Sequence, residues 1–374
     1  MLTRRVSFLC TIIMVWATTW VMAIQAPAHS ATTTSEALSH RTARPSPTPY
    51  VAPPLMNDQL LDTHIMPSGL PPNRQALFAI LYNGYRRSSL EPCGCVSHKL
   101  GGIDREARVI ERITTSGMPL LKLEAGGYIR DMASRSAALR TASKYLLKAL
   151  AALDYDVLNV GVTDMEMGKA FLEQSLGSKA DRLVSANVVD PATSQPLFAT
   201  HKILTVTLPS GETVKIGVTG VTRPRQGLAR PDASKDYAIA DPVAALKKIV
   251  PELRKQCDLV LVLAYLNREG LANDILARLG ADPGIDIAVA GEYLGSGSEV
   301  QNVGGVRVVS GGFEGRQVGL LVLEWRNGKI AQHFNKLVEI EQSIAPRPDI
   351  SKIINDYLKE LVKSTEAQTS STAE

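Results

Sequence analysis

The feature that most constrains this chain is a rhythm in which short apolar runs of strand length alternate with amphipathic stretches of helical length. The runs "ALFAILY" (76–82), "PLLKLEA" (119–125), "DVLNVG" (156–161), "DLVLVLAYL" (258–266) and "IDIAVAG" (285–291) are mostly apolar rather than alternating, which predicts strands buried on both faces. Helices are predicted over "DREARVIERITTS", "RSAALRTASKYLLKALAAL" and "DPVAALKKIVPELRKQ", where apolar residues recur at three and four. Further on the pattern changes. "HKILTVTL", "TVKIGVTGV", "VRVVSGG", "RQVGLLVLEW" and "KIAQHFNKL" alternate apolar with polar residues, as antiparallel strands do. Strand, helix, strand early and hairpins late imply an α/β or α+β sandwich around one core. A last helix is expected near 350–362, with Ile353, Ile354, Tyr357, Leu358, Leu361 and Val362 on one stripe packed against the domain.

The ends have a different composition. Residues 1–30 pair Arg4 and Arg5 with an apolar run and the small residues Ala28 and Ser30, the pattern of a signal peptide cleaved at Ser30/Ala31. The run approaches the ~20 residues that span a bilayer, so an uncleaved anchor is the other expectation and the one membrane contact implied. Residues 31–73 are rich in Pro, Ser, Thr and Ala and predict a disordered linker. The folded domain is expected over 74–345, with a helix and polar tail over 346–374. These features place the protein in the periplasm or outside the cell. A formal charge of +4 over 374 residues, without a basic aromatic surface, argues against a nucleic-acid partner.

Beyond the signal segment three cysteines remain, Cys93, Cys95 and Cys257. An odd number in an oxidising compartment leaves at least one thiol free or joined to a partner. Cys257 opens an apolar run and is expected as a small core residue. The stretch "LEPCGCVSHKLGG" (90–102) is different. Cys93 and Cys95 flank Gly94, and His98 or Lys99 could favour a thiolate. Cys93, Cys95 and His98 also offer three soft ligands, which a fourth from Asp164, Glu166 or Glu292 would complete for a single divalent metal. Inert loop thiols are the alternative to both.

The order "LEPCGC…LGGIDREARVIE", "LLKLEAGG", "YDVLNVGVTDMEMG", "RLVSANVVD", "VKIGVTGVT", "DLVLVLAYL", "PGIDIAVAGE" resembles the UshA-like branch, 5′-nucleotidases and UDP-sugar hydrolases, of the calcineurin-like metallophosphoesterases. The resemblance covers about residues 76–325, and the "EPCGC" loop is similar to that of a subgroup that includes selenoproteins, which implies a reactive role for the position. It implies a four-layer α/β/β/α sandwich with mixed sheets and a reactive centre on loops at the carboxyl ends of the strands. There the family holds two divalent metals on Asp, His and Asn and generates a nucleophilic hydroxide.

Carried over position by position, the resemblance implies a degenerate site. Tyr85 and Arg87 stand at the Asp and His of the first motif, and Gly127 stands at the bridging carboxylate. Val162 and Thr163 replace an Asn and the catalytic His, and Asp164 stands at the neighbouring Glu. Tyr265 replaces a further His, and Glu292 and Leu294 replace the last His pair. A fixed cation at Arg87 would repel metal ions, and Arg87, with Arg86 beside it, could hold an anion instead. Of six histidines, only His98, His201 and His333 fall in the expected folded part. Three functions follow as expectations. One is a non-hydrolytic module that binds a protein or a small anionic ligand. A second is a thiol-based module at Cys93 and Cys95. The third is a residual phosphoesterase that uses Asp164, Glu166 and Glu292 with one divalent ion.

Overall fold

The computed structural model describes residues 52–95, 98–130, 136–224, 236–292 and 297–371. The expected signal peptide, the linker up to residue 51 and Leu294 lie outside the described residues. The first half of the chain runs α1 (Asp58–Ile65), β1 (Leu77–Asn83), α2 (Ile103–Thr115), β2 (Leu120–Glu124), α3 (Ala137–Ala152), β3 (Val157–Asn159), α4 (Lys169–Leu176) and β4 (Leu183–Val184). There follow β5 (Val188–Val189), β6 (His201–Thr207), β7 (Thr213–Thr222), β8 (Ala238–Ile239), α5 (Pro242–Arg254) and β9 (Leu259–Tyr265). The last part holds α6 (Arg268–Gly270), α7 (Ala277–Leu279), β10 (Ile287–Ala290), β11 (Gln301–Val303), β12 (Val306–Ser310), β13 (Gln317–Arg326), β14 (Lys329–Glu339) and α8 (Pro348–Ser371).

Two six-stranded sheets form, in the orders β14-β13-β1-β2-β3-β4 and β11-β12-β10-β9-β7-β6. In the first, β1 to β4 are parallel and β13 joins β1 antiparallel. In the second, β7, β9, β10 and β12 are parallel, with β6 and β11 antiparallel at the two edges. The sheets pack face to face through Phe78, Ile80, Leu123, Leu321, Ile216, Leu261, Leu263 and Val289. A second core lies between the outer face of the first sheet and α1 to α4 and α8, and a third between the second sheet and α5 with its neighbours. The result is the expected α/β/β/α sandwich. It explains why β1 and β9 are buried at every position: each has a packed layer on both sides, so alternation carries no advantage.

Two expectations are corrected. The linker expected over 31–73 is not structureless at its end. Asn57 caps α1, Leu61 and Ile65 are buried, and Asp58 and Asp62 pair with Arg108 and Arg112 of α2. Three apolar positions in eight residues were too short a run to stand out against the surrounding prolines. The late strands are also not uniformly antiparallel, because β7 and β12 each have one parallel neighbour. Their alternation reflects which faces are covered, and that does not depend on strand direction.

Candidate functional site

The carboxyl ends of β1, β2 and β3 open into three loops that are stitched together by hydrogen bonds. Tyr85, Arg87 and Ser88 donate their backbone N–H to the carbonyls of Gly126, Gly127 and Tyr128 at 2.9, 3.0 and 2.7 Å. Those three donors all sit at positive φ, between 53° and 60°, a conformation that costs about 1–2 kcal/mol per residue and so needs external support. Arg86 supplies it. Its guanidinium is 1 % exposed and binds Glu106 through two nitrogens (2.7 and 2.8 Å), Glu124 (2.5 Å) and the Tyr155 hydroxyl (2.6 Å). Burial drives the Glu124 carboxyl up to about 7, against the pull of Arg86 and with the push of Glu106. Two carboxylates share one cation there. Arg86 is therefore an internal anchor, and its expected part in anion binding is corrected.

Asp164 does a similar job for the third loop. It is wholly buried and accepts the N–H groups of Gly127, Ile129 and Gly161, each at 2.8 Å. Burial pushes its carboxyl up to about 8 even though those three donors favour the charge. With its oxygens committed to backbone, Asp164 is placed as a cross-link between loops rather than as a metal ligand. Glu166 lies in the short turn that follows. Asn159, at the end of β3, donates to Ala125 O in one sheet and Val221 O in the other, both at 3.0 Å. That clamp was not foreseen, although a polar residue ending an apolar run is a signal that could have marked it.

Tyr265 occupies the centre of this edge. It is 4 % exposed, and its hydroxyl accepts a hydrogen bond from Thr163 Oγ1 at 3.3 Å. The ring lies against Gly127 and Gly161 so closely that a Cβ on Gly161 would be 2.7 Å from Tyr265 Cγ, and one on Gly127 would overlap Tyr265 Cε2. Gly127 also has φ +73°. Burial raises the Tyr265 phenol far above its usual range, so it stays neutral. Val162 is tied by its N–H to Thr222 Oγ1 at 3.1 Å.

Around this plug lies a charged rim. Arg87 lies over the Tyr85 ring at 5.1 Å, donates to its hydroxyl at 3.0 Å, and pairs with Glu314 at 3.2 Å. Glu314 also meets Arg130 at 3.5 Å and Arg316 at 3.4 Å. Phe313 packs between the Tyr85 ring, at 5.8 Å, and the Arg316 guanidinium, at 4.9 Å. Sequence inspection missed Phe313, Glu314 and Arg316, since nothing in "GGFEGRQ" links them to the distant Arg87. Glu292 pairs with Arg223 at 3.1 Å, and Arg223 also lines a hollow of about 430 Å³ with Leu266 and Arg278.

The cysteine loop sits on the same side as Arg316. Cys93 and Cys95 are free thiols, Cys93 half-buried and Cys95 exposed. Leu100 N–H donates to Cys93 Sγ at 3.3 Å, and Cys93 N–H donates to Leu100 O at 2.8 Å. Partial burial pulls the Cys93 thiol up. The N–H groups of Leu100 and Cys95, the Cys95 thiol and the Arg316 charge outweigh it, leaving Cys93 below its usual value. Cys95 is raised in turn, first by its hydrogen bond to Cys93 and then by that neighbour's charge. His98 points elsewhere, with Nε2 3.8 Å from Glu339 Oε2 and an exposed side chain. The three-ligand set of Cys93, Cys95 and His98 is thus not assembled, and among the described residues no three His, Cys, Asp or Glu side chains gather as a metal cluster would require. Cys257 lies in the outer core of the second sheet.

No family model matches the chain. A 2′,3′-cyclic-nucleotide 2′-phosphodiesterase/3′-nucleotidase of Salmonella typhimurium is 27 % identical over 181 residues, 45 % of this chain and 28 % of that protein. The match thus spans less than a third of that relative's length. Among solved structures, a 5′-nucleotidase precursor from Thermus thermophilus superposes with a TM-score of 0.60 at 20 % identity, covering 77 % of this chain and 59 % of the other. The calcineurin-like phosphoesterase YfkN of Bacillus subtilis gives 0.60 at 18 % identity, covering 78 % of this chain and 99 % of that one. Among the described residues no helix is long and apolar enough to cross a membrane. Sheet order, loop placement and these likenesses agree on the fold: the chain has the α/β/β/α sandwich of the 5′-nucleotidase and calcineurin-like phosphoesterase structures on which it superposes.

Proposed function

We propose that this chain is an extracytoplasmic, non-hydrolytic protein of its fold, whose working group is the Cys93/Cys95 loop rather than a dinuclear metal centre. The carrying observation is the Tyr265 ring set against Gly127 and Gly161, which fills the space into which a side chain at position 127 would project. The other side chains at the mapped positions suit metal ions no better. Arg87 is cationic and paired with Glu314, Thr163 is bound to Tyr265, and Glu292 is neutralised by Arg223. What the edge offers instead is a pair of free thiols, Cys93 and Cys95, the first accepting the Leu100 N–H.

The test is hydrolysis of bis-p-nitrophenyl phosphate and of 2′,3′-cyclic AMP by full-length protein with added Mn²⁺ or Mg²⁺. Turnover no faster than in a metal-containing buffer blank is expected. Metal-stimulated turnover that Glu292→Gln abolishes would instead establish the second reading, a residual phosphoesterase. The name of the Salmonella relative favours that second reading.

A further inference from the structure

The surroundings of Cys93 and Cys95 form a built site rather than a chance pair. One backbone N–H points at Cys93 Sγ from Leu100, on the returning side of the loop. The segment holding Arg316 lies against that returning side: a Cβ on Gly101 would be 3.4 Å from Gly315 O, Gly101 N–H donates to Ile340 O at 2.7 Å and Ile340 N–H to Arg316 O at 2.9 Å, and the Arg316 charge lowers the pKa of both thiols. Arg316 also belongs to the rim in which Arg87, Arg130 and Arg316 surround the single carboxylate of Glu314. Three guanidinium groups against one carboxylate leave a positive surface next to the thiols, and Phe313 and Tyr85 give it apolar faces.

We infer that Cys93 and Cys95 are a thiol–disulfide exchange site for small anionic disulfides, with Cys93 attacking, Cys95 resolving and the Arg316 rim selecting negative charge. The inference rests on the proposed function, because it takes the thiol loop to be the working group. Cys93 is the attacking sulfur because the Leu100 N–H donates to its Sγ at 3.3 Å, which stabilises a thiolate. The Cys93 thiolate attacks one sulfur of R–S–S–R, forming a Cys93–S–S–R bond and expelling RS⁻, which takes up a proton as RSH. Cys95 then loses its proton and attacks Cys93 Sγ. The Cys93–S–R bond breaks, a second RSH leaves, and a Cys93–Cys95 disulfide remains. Two electrons pass from the protein dithiol to the substrate disulfide, which is the oxidant.

The experiment mixes reduced full-length protein with glutathione disulfide, 2-hydroxyethyl disulfide or cystamine, which are anionic, neutral and cationic, and follows adducts by intact mass. Each rate is divided by that of the same disulfide with a free small thiol, which removes the intrinsic reactivity of the disulfide. Glutathione disulfide is expected to lead cystamine by roughly three- to tenfold at low salt, with the preference shrinking as ionic strength rises. Arg316→Gln should erase most of that ratio, and because both disulfides meet the same sulfur, a changed thiol reactivity cancels. Cys95→Ser should halt at a mixed disulfide on Cys93, and Cys93→Ser should slow the first step at least tenfold. If a variant fails to fold by circular dichroism, the salt dependence of the wild-type ratio decides. Exchange without charge preference overturns the substrate class and leaves the thiol reading standing. No adduct from any of the three disulfides overturns both.

Discussion

If Tyr265 fills the room that Gly127 leaves, the two positions must be energetically coupled, and the coupling can be measured. A Cβ at position 127 would overlap the Tyr265 ring, and φ at Gly127 is +73°. Gly127→Ala therefore combines a left-handed backbone cost of about 1–2 kcal/mol with an overpacking cost of about 1–3 kcal/mol, or roughly 2–5 kcal/mol in all. Tyr265→Ala alone removes a buried ring and should cost about 3–5 kcal/mol. In the Tyr265→Ala background the overlap is gone, so Gly127→Ala should then cost only its backbone share, about 1–2 kcal/mol. Urea unfolding of the four proteins, with m-values compared to confirm two-state behaviour, gives a coupling of about 1–3 kcal/mol. A Gly127→Ala cost that is the same in both backgrounds, within about 0.5 kcal/mol, would refute the close packing and with it the observation on which the proposed function rests.

Replacing Arg86 by Met leaves Glu106 and Glu124 buried without their cation, and about 3–5 kcal/mol of stability should be lost in urea unfolding; a loss below about 1 kcal/mol would contradict the anchor. Because the folded-state Glu124 carboxyl lies near 7, above the usual 4.5, its protonated form favours the fold. Stability from this group is therefore full below about pH 4.5 and declines as pH rises toward 7, by at most about 1.4 kcal/mol per unit. Relative to Glu124→Gln, the wild type should lose stability between about pH 5 and 7 and level off above. A difference that stays flat or rises with pH would show the sign to be wrong. For α1, Leu61→Ala should destabilise the whole domain by about 2–5 kcal/mol, whereas an unchanged urea midpoint would return the segment to linker.

The sandwich was legible in the sequence because burial on two faces leaves a mark: β1, β9 and β10 are continuous apolar runs, and the helices between them show one stripe each. The ends of those strands were equally legible, since each closes an apolar run. What filled those positions was not. The meeting of Tyr265 with Gly127 joins residues far apart in sequence, and only the register of β9 across the sandwich brings them together. Arg86 and Arg87 read as one dibasic pair, yet one points into the core and the other to the rim. That split is set by a backbone at positive φ on Tyr85, Arg87 and Ser88, which no residue type there announces. Asp164 read as a candidate ligand and not as a tie between loops, because its three partners are backbone groups and backbone leaves no trace in composition.

The stitching of the three loops changes what the fold's reactive edge depends on for its shape. In a metal-bridged edge, the ion would be the tie between loops, and a chelator would loosen it. Here the ties are a guanidinium on one side and a carboxylate on the other, Arg86 reaching inward beneath the loop after β1 and Asp164 gathering three N–H groups from the loops after β2 and β3. The edge is thus self-supporting. The side chains of Tyr85 and Arg87, whose contacts are with the rim, are not among those ties. Such an edge is a mount on which new chemistry can be tried at little risk to the fold.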